Sequence, residues 1–264
     1  MKKVKTSLVL EGGGMRGAYT AGALSWLIDN NIEFDNAYGI STGAVHLCSY
    51  LIKDKKNLKD FSTKYITDKN AIGIRSILRC FHLVDYDYLF YELMMKKCKY
   101  DFSALKSVKT NGRIGTYELS SGKAEYHNVQ EIDIEELKAA CTLPFLGRIA
   151  KLGDRQMLDA GISDMIPIEQ SIKDGCERHL IITTKPAGYV RKPSNKFVVQ
   201  AMKLRYRNCP NIASDYAIRH LNYYKQINMI KASGKKDEAL RGYITIKNIY
   251  FYRLIIWVNI LIKF

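Results

Sequence analysis

Gly39-Ile40-Ser41-Thr42-Gly43 is the stretch on which the reading of this chain turns. The residues before it, Ala37 to Ile40, form a short apolar run that predicts a strand. The residues after it, Thr42 to Ile52, carry Ala44, Val45, Leu47, Cys48, Leu51 and Ile52, apolar nearly all round. Such a pattern predicts a helix buried on several sides. A G-x-S-x-G sequence between a strand and a helix is the context of a nucleophile elbow. There the serine sits on a strained turn, and small neighbours such as Gly39 and Gly43 let the elements approach. The hydroxyl then projects at a helix N-terminus, where the helix dipole favours negative charge. The alternative for Ser41 is an N-cap, its hydroxyl satisfying free N–H groups of the next helix.

Upstream, Thr6 to Leu10 reads as a β-branched and aliphatic strand. Ala18 to Ile28 reads as a helix, with Ala21, Leu24, Leu27 and Ile28 at helical spacing and Asn30-Asn31 at its end. Between them lies Glu11-Gly12-Gly13-Gly14-Met15-Arg16-Gly17. Consecutive glycines let backbone N–H groups turn towards one point at a helix N-terminus, an anion-binding nest. The anion is either a pyrophosphate or the oxyanion of an acyl-transfer intermediate; the alternative is a tight structural turn that binds nothing. Gly12-x-Gly14-x-x-Gly17 literally satisfies the dinucleotide-binding fingerprint. Asp35 stands roughly 20 residues on, where a ribose-binding acid belongs. An NAD(P)-binding oxidoreductase is therefore the rival enzyme. Against it, Gly13 and Arg16 are not requirements of that fingerprint. The glycine loop and Gly39–Gly43 also follow two adjacent strands whose C-terminal ends converge at one edge.

Downstream, Arg113 to Glu118 and Lys123 to Asn128 predict a strand pair around Ser121-Gly122. Asp133 to Glu136 is a capping box opening a helix that runs to Cys141, with Pro144 beyond it. Gln156 to Leu158 is a short strand ending at Asp159-Ala160-Gly161, and His179 to Thr184 is a buried strand. Phe197 to Ile230 reads as helical, interrupted near Pro210. Lys53 to Lys69 suggests a polar surface helix. Ile72 to Lys99, rich in Tyr, Phe, Leu and Met, is either a cap lining a substrate site or further core. Strands alternating with helices predict an α/β domain with a parallel sheet. With no internal repeat or linker, residues 1–264 read as a single domain.

A serine nucleophile needs a base. Of the five histidines, His46 lies on the buried helix pointing away from Ser41, and His179 precedes a strand. Neither these nor His82, His127 and His220 have a triad context. Asp159 is the better candidate, because small residues beside it allow close approach and desolvation would raise its pKa towards usefulness. Its alternative is a turn aspartate.

Composition bounds the partners. The 264 residues are 47% hydrophobic and 25% charged, with 41 Lys+Arg against 26 Asp+Glu and a net charge of +15. That balance favours anionic lipid surfaces or other polyanions over acidic soluble partners. No nucleic-acid-binding motif is recognised, and no nucleic acid is expected. The six cysteines are scattered, which suggests reduced thiols in the cytoplasm and no zinc. The apolar run at the N-terminus stops at Glu11, too soon for a signal peptide. No stretch reaches the roughly 20 apolar residues of a membrane span.

Together, Glu11-Gly-Gly-Gly-Met-Arg-Gly17, Gly39-Ile-Ser-Thr-Gly43 and Asp159-Ala-Gly161 resemble the patatin-like phospholipase family, in its order and separation of motifs. Thr183-Thr184-Lys-Pro-Ala-Gly-Tyr189 and the region of Asn222-Tyr-Tyr look like its bacterial branch. The likeness covers about Lys5 to Ser233. It implies a three-layer α/β/α sandwich around a mainly parallel sheet, no cofactor, and hydrolysis of phospholipid or other lipid acyl esters by a Ser–Asp dyad. Carried over, Ser41 is the nucleophile, Asp159 the base, and the N–H groups of Gly12, Gly13 and Gly14 the oxyanion hole. Arg16 supports that loop or meets a headgroup phosphate, and Gly17, Gly39, Gly43 and Gly161 are motif glycines. Two departures stand out. Ala160 replaces the usual first glycine after the aspartate, and costs about 1 kcal/mol if that position needs a positive φ. Ile244 to Phe264, apolar, aromatic and basic, is atypical, and is a packed strand, a membrane contact or an altered terminus. An inactive lipid- or nucleic-acid-binding relative remains the non-enzyme alternative.

Overall fold

A computed structural model describes residues 4–186, 188–234, 241–244 and 260–263. The first half alternates strand and helix: β1 (Thr6–Leu10), α1 (Gly17–Asp29), β2 (Asn36–Ile40) and α2 (Thr42–Leu51). Then come α3 (Lys55–Asp60), α4 (Ile74–Cys80), β3 (Asn111–Glu118), β4 (Lys123–Asn128) and α5 (Ile134–Cys141). The second half holds β5 (Ala150–Leu152), β6 (Arg155–Asp159), α6 (Ile168–Lys173), β7 (Arg178–Ile182), α7 (Lys196–Arg205) and α8 (Asn211–Gly234). β8 (Arg241–Ile244) and β9 (Ile260–Lys263) complete one sheet in the order β5-β6-β3-β2-β1-β7-β9-β8, with β4 also on β3.

The middle of that sheet, β7-β1-β2-β3, is parallel; the strands flanking it pair antiparallel. Parallel strands are covered on both faces, and the alternation along β1 shows it. Leu8 and Leu10 pack into a core with Leu24, Leu27, Val45, Leu47, Leu137 and Ala140 from α1, α2 and α5. Val9, with Tyr38 of β2, packs the other way, against Ile168 of α6 and Tyr223 and Ile230 of α8. Side chains of opposite parity therefore feed opposite helical layers, giving the expected α/β/α sandwich.

Most expected elements are in place within a residue or two, while the last helix runs on to Gly234, four residues past the expected Ile230. The strand His179–Thr184 is shorter, Arg178–Ile182, and Thr184 beyond it bonds the glycine loop. The Asp133 capping box is formed, and Pro210 separates α7 from α8. Lys53 to Lys69 is only partly polar surface: α3 gives way to a π-helical turn, Phe61–Tyr65, and Leu58 and Phe61 are buried. Of the two readings of Ile72 to Lys99, core is the one found for its second half. Leu89, Phe90, Leu93 and Met94 are buried with α1 and α2. α4 and the residue that caps it instead leave Ile74, Leu78 and Phe81 exposed. The reading of Ile244 to Phe264 falls largely on 245–259 and 264, outside the described residues.

Candidate active site

At the C-terminal end of β2 the chain turns through Ser41 at φ 59°, ψ −129° and enters α2 directly. Positive φ in a non-glycine residue stores about 1–3 kcal/mol of strain, tolerated only where the surroundings enforce it. Here the enforcement is close packing. A Cβ on Gly39 would lie 2.5 Å from the Gly43 carbonyl oxygen, and a Cβ on Gly43 2.9 Å from that of Leu10. Ser41 holds the N-cap position of α2, yet its hydroxyl makes no capping bond. The capping alternative is thereby set aside.

The glycine loop lies across this turn. A Cβ on Gly12 would approach the Ser41 Cβ at 3.0 Å, and one on Gly17 the His46 Nε2 at 2.8 Å. Gly14 adopts φ 57° and leads into a 3-10 turn, Gly14–Arg16. The three amides expected to act alike are not alike. Gly12 N–H donates to the Met165 carbonyl at 3.3 Å, which makes Gly12 a close-approach residue with a committed amide. Gly13 N–H reaches only Thr42 Oγ1, at 3.3 Å. The Thr184 hydroxyl donates to the Gly12 carbonyl at 2.9 Å and pins the loop to the end of β7.

Asp159 ends β6, opposite Thr116 of β3, while Ile40 lies opposite Gly115 of the same strand. β2 and β6 therefore approach along one strand from opposite directions and stop beside each other. Asp159 Oδ1 accepts the Gly161 N–H at 2.7 Å. Oδ2 is buried and lacks a partner of full hydrogen-bond geometry among the described residues. Burial raises the carboxyl to about 6; the Ser41 hydroxyl, the Gly161 amide and the Arg219 charge each pull it back. The Ser41 hydroxyl thus favours the ionised carboxylate.

A family model for patatin-like phospholipase matches residues 8–172, a stretch that includes the glycine loop, Ser41 and Asp159. The chain belongs to the patatin-like phospholipase family. An uncharacterised protein of Escherichia coli K12, YjjU, is 24% identical over 190 residues, covering 69% of this chain and 53% of that relative. The chain thus spans about half the length of that relative.

The patatin-like assignment, a family of lipid acyl hydrolases, is at odds with a nucleotide role for Asp35. Its carboxylate accepts the N–H and hydroxyl of Thr6, both at 2.9 Å, at the end of β1 opposite the glycine loop. Ala160 also fits: it has no positive φ and is buried at the start of a 3-10 turn, Ala160–Ile162, so the anticipated strain is absent. Helices α1 and α2 bury His46 edge-on to Phe61, where desolvation lowers its pKa to about 4, and His179 bonds Ser7 and Ser171. Neither lines the cavity. Among the described residues no group of three His, Cys, Asp or Glu side chains could hold a metal.

Ser41 and Asp159 open into a cavity of about 450 Å³ lined by Gly12, Gly13, Gly14, Gly161 and apolar Leu143, Phe145, Ile162, Val198 and Met202. Arg16, Lys185, Arg191 and Arg219 line it as well. Motif reading found only Arg16. Lys185 makes a buried ion pair with Glu11 at 3.3 Å, and Glu11 accepts the Thr184 N–H at 2.5 Å. Glu11 opens the glycine motif, and Lys185 lies in Thr183–Tyr189, so both stood in quoted stretches without a role. Arg191 and Arg219 carried no local signal.

Proposed function

We propose that this chain hydrolyses lipid acyl esters with Ser41 as nucleophile and Asp159 as its base. The observation that carries the reading is the strained, uncapped Ser41 beside a buried carboxylate whose Oδ2 is unsatisfied. A hydrogen bond looser than ideal in a free enzyme tightens when substrate excludes water. Asp159 takes the Ser41 proton as Oγ attacks the ester carbonyl. The Gly13 and Gly14 amides hold the oxyanion, each well-placed donor contributing about 3–4 kcal/mol. Gly13 exchanges its long bond to Thr42 for this one. Collapse of the intermediate expels the alcohol, which takes the proton from Asp159. Asp159 then activates water to release the acid and restore Ser41.

The apolar lining suits an acyl chain. Phe197 and Val190, next in sequence to the lining residues Val198 and Arg191, are 85% and 68% exposed, and the net charge is +15. These features support visits to anionic membranes, each basic residue near the surface adding about 1 kcal/mol. Among the described residues no helix is long and apolar enough to cross a membrane. Six free thiols suit a reducing cytoplasm.

Ser41→Ala tests the reading. Hydrolysis of a short-chain p-nitrophenyl ester and labelling by a fluorophosphonate should both disappear. Turnover and labelling that persist in the variant would place the nucleophile elsewhere.

A further inference from the structure

The cavity holds more positive charge than its chemistry requires. Of its four cations, Lys185 is neutralised by Glu11. Arg16, Arg191 and Arg219 have no ion pair with a carboxylate among the described residues. Asp159 is near enough to attract Arg219, but it is the base and is shared with the Gly161 amide.

Arg191 and Arg219 are nonetheless held in place. Arg219 Nε donates to the Gly161 carbonyl at 2.5 Å, and its guanidinium lies 5.4 Å from the Tyr216 ring. The Arg191 guanidinium lies 5.4 Å from the Tyr223 ring, and its carbonyl accepts the Tyr224 hydroxyl at 3.2 Å. Burial and the nearby Arg191 both disfavour the charge on Arg219. Two fixed guanidiniums facing one cavity repel each other until an anion lies between them, and the planar fork matches phosphate oxygens. Both residues fall beyond the matched stretch 8–172.

We infer that Arg191 and Arg219 form a subsite for a phosphate carried by the ester substrate, selecting net-anionic acyl esters over zwitterionic choline lipids and neutral esters. Arg219 ties that subsite to the Gly161 backbone, and so sets the phosphate beside Ser41 and Asp159. A choline trimethylammonium would meet the same cationic wall and be repelled. This inference rests on the proposed hydrolase reading, but it can be read out without turnover.

The experiment measures binding to the Ser41→Ala protein by calorimetry, using dihexanoyl phosphatidic acid and dihexanoyl phosphatidylcholine below their micellar concentrations. The acid should bind at least ten-fold more tightly. Arg191→Gln in the same background should reduce that preference at least ten-fold, and Arg219→Lys, which keeps charge but loses the fork, should reduce it less. Equal binding of the two lipids, or a preference untouched by Arg191→Gln, overturns the proposal. Inorganic phosphate bound as tightly as the acid would overturn selection of a lipid and assign the subsite to the free ion. With Ser41 intact, the ratio of kcat/KM for the two lipids should follow the binding ratio. If p-nitrophenyl ester hydrolysis and fluorophosphonate labelling are absent while the binding preference stands, the hydrolase reading fails and the subsite survives.

Discussion

Ile40 and Asp159 occupy consecutive places along one edge of β3, opposite Gly115 and Thr116. β2 arrives parallel to β3 and β6 antiparallel, so two strand ends meet and the residues at their tips become neighbours. Nothing between them has room to grow. A Cβ on Gly115 would run into the Ile40 side chain and come within 3.1 Å of the Ala160 Cβ. Gly115→Val should therefore cost about 1–3 kcal/mol of stability, as overpacking does. It should also spread the two tips, lowering ester kcat/KM at least ten-fold in protein that is still folded. Urea denaturation and turnover on one preparation check both; normal turnover would refute the link between this junction and Ser41.

The Asp159 carboxyl, raised by burial to about 6, must be ionised to act as base. Ester kcat/KM should thus fall about ten-fold per pH unit below about 6 and level off above it. A pH–rate profile flat from 5 to 8 would remove Asp159 from that role.

The same shift sets the sign of a stability effect. Between the unfolded value of 3.8 and about 6 the native state binds the extra proton, so stability from this site is present at low pH and lost as pH rises through about 6. Asp159→Asn, which carries no charge to desolvate, should be inactive yet more stable at pH 8, by up to about 2–3 kcal/mol. The gain should shrink towards pH 4. Thermal or urea unfolding at the two pH values measures it.

Ser41 offers a second exchange of stability against function. Its φ of 59° and ψ of −129° suit glycine. Ser41→Gly should be more stable than Ser41→Ala by about 1 kcal/mol, with both variants inactive. Equal stabilities would mean that the turn is not strained.

The parts legible in the sequence were those encoded locally. Strand, glycine loop, helix, strand and elbow follow in register from Thr6 to Leu51 because each carries its own signal: an aliphatic run, a glycine cluster, helical spacing or a small residue at a close approach. Asp159 was legible because it ends a short strand beside small residues. What could not be read was tertiary. That the Gly12 amide is committed to Met165 depends on a loop brought in by β6 and α6. That Arg219 lies on Gly161 depends on how α8 crosses the sheet. The Asp159-Ala-Gly161 motif also gave no hint that Ala160 meets no strain, since φ is decided by the 3-10 turn that follows.

The tie between Glu11 and Lys185 joins the first strand to the segment after β7, and it lies beneath the glycine loop. Lys185 is 8% and Glu11 1% exposed, so each charge depends on the other for its solvation. Burial lowers the Lys185 pKa and Glu11 opposes that, which shows which partner keeps it charged. Glu11→Gln can still accept the Thr184 N–H but strands the ammonium, and should cost about 3 kcal/mol. Lys185→Met strands the carboxylate with a comparable loss. The double variant removes both charges together and should be less destabilised than the sum of the singles by at least 1 kcal/mol. Strict additivity in urea denaturation would show that the pair is not coupled. Loss of the tie should also free the Thr184 hydroxyl from its place on the Gly12 carbonyl, so the single variants should lose ester hydrolysis beyond their loss of folded protein.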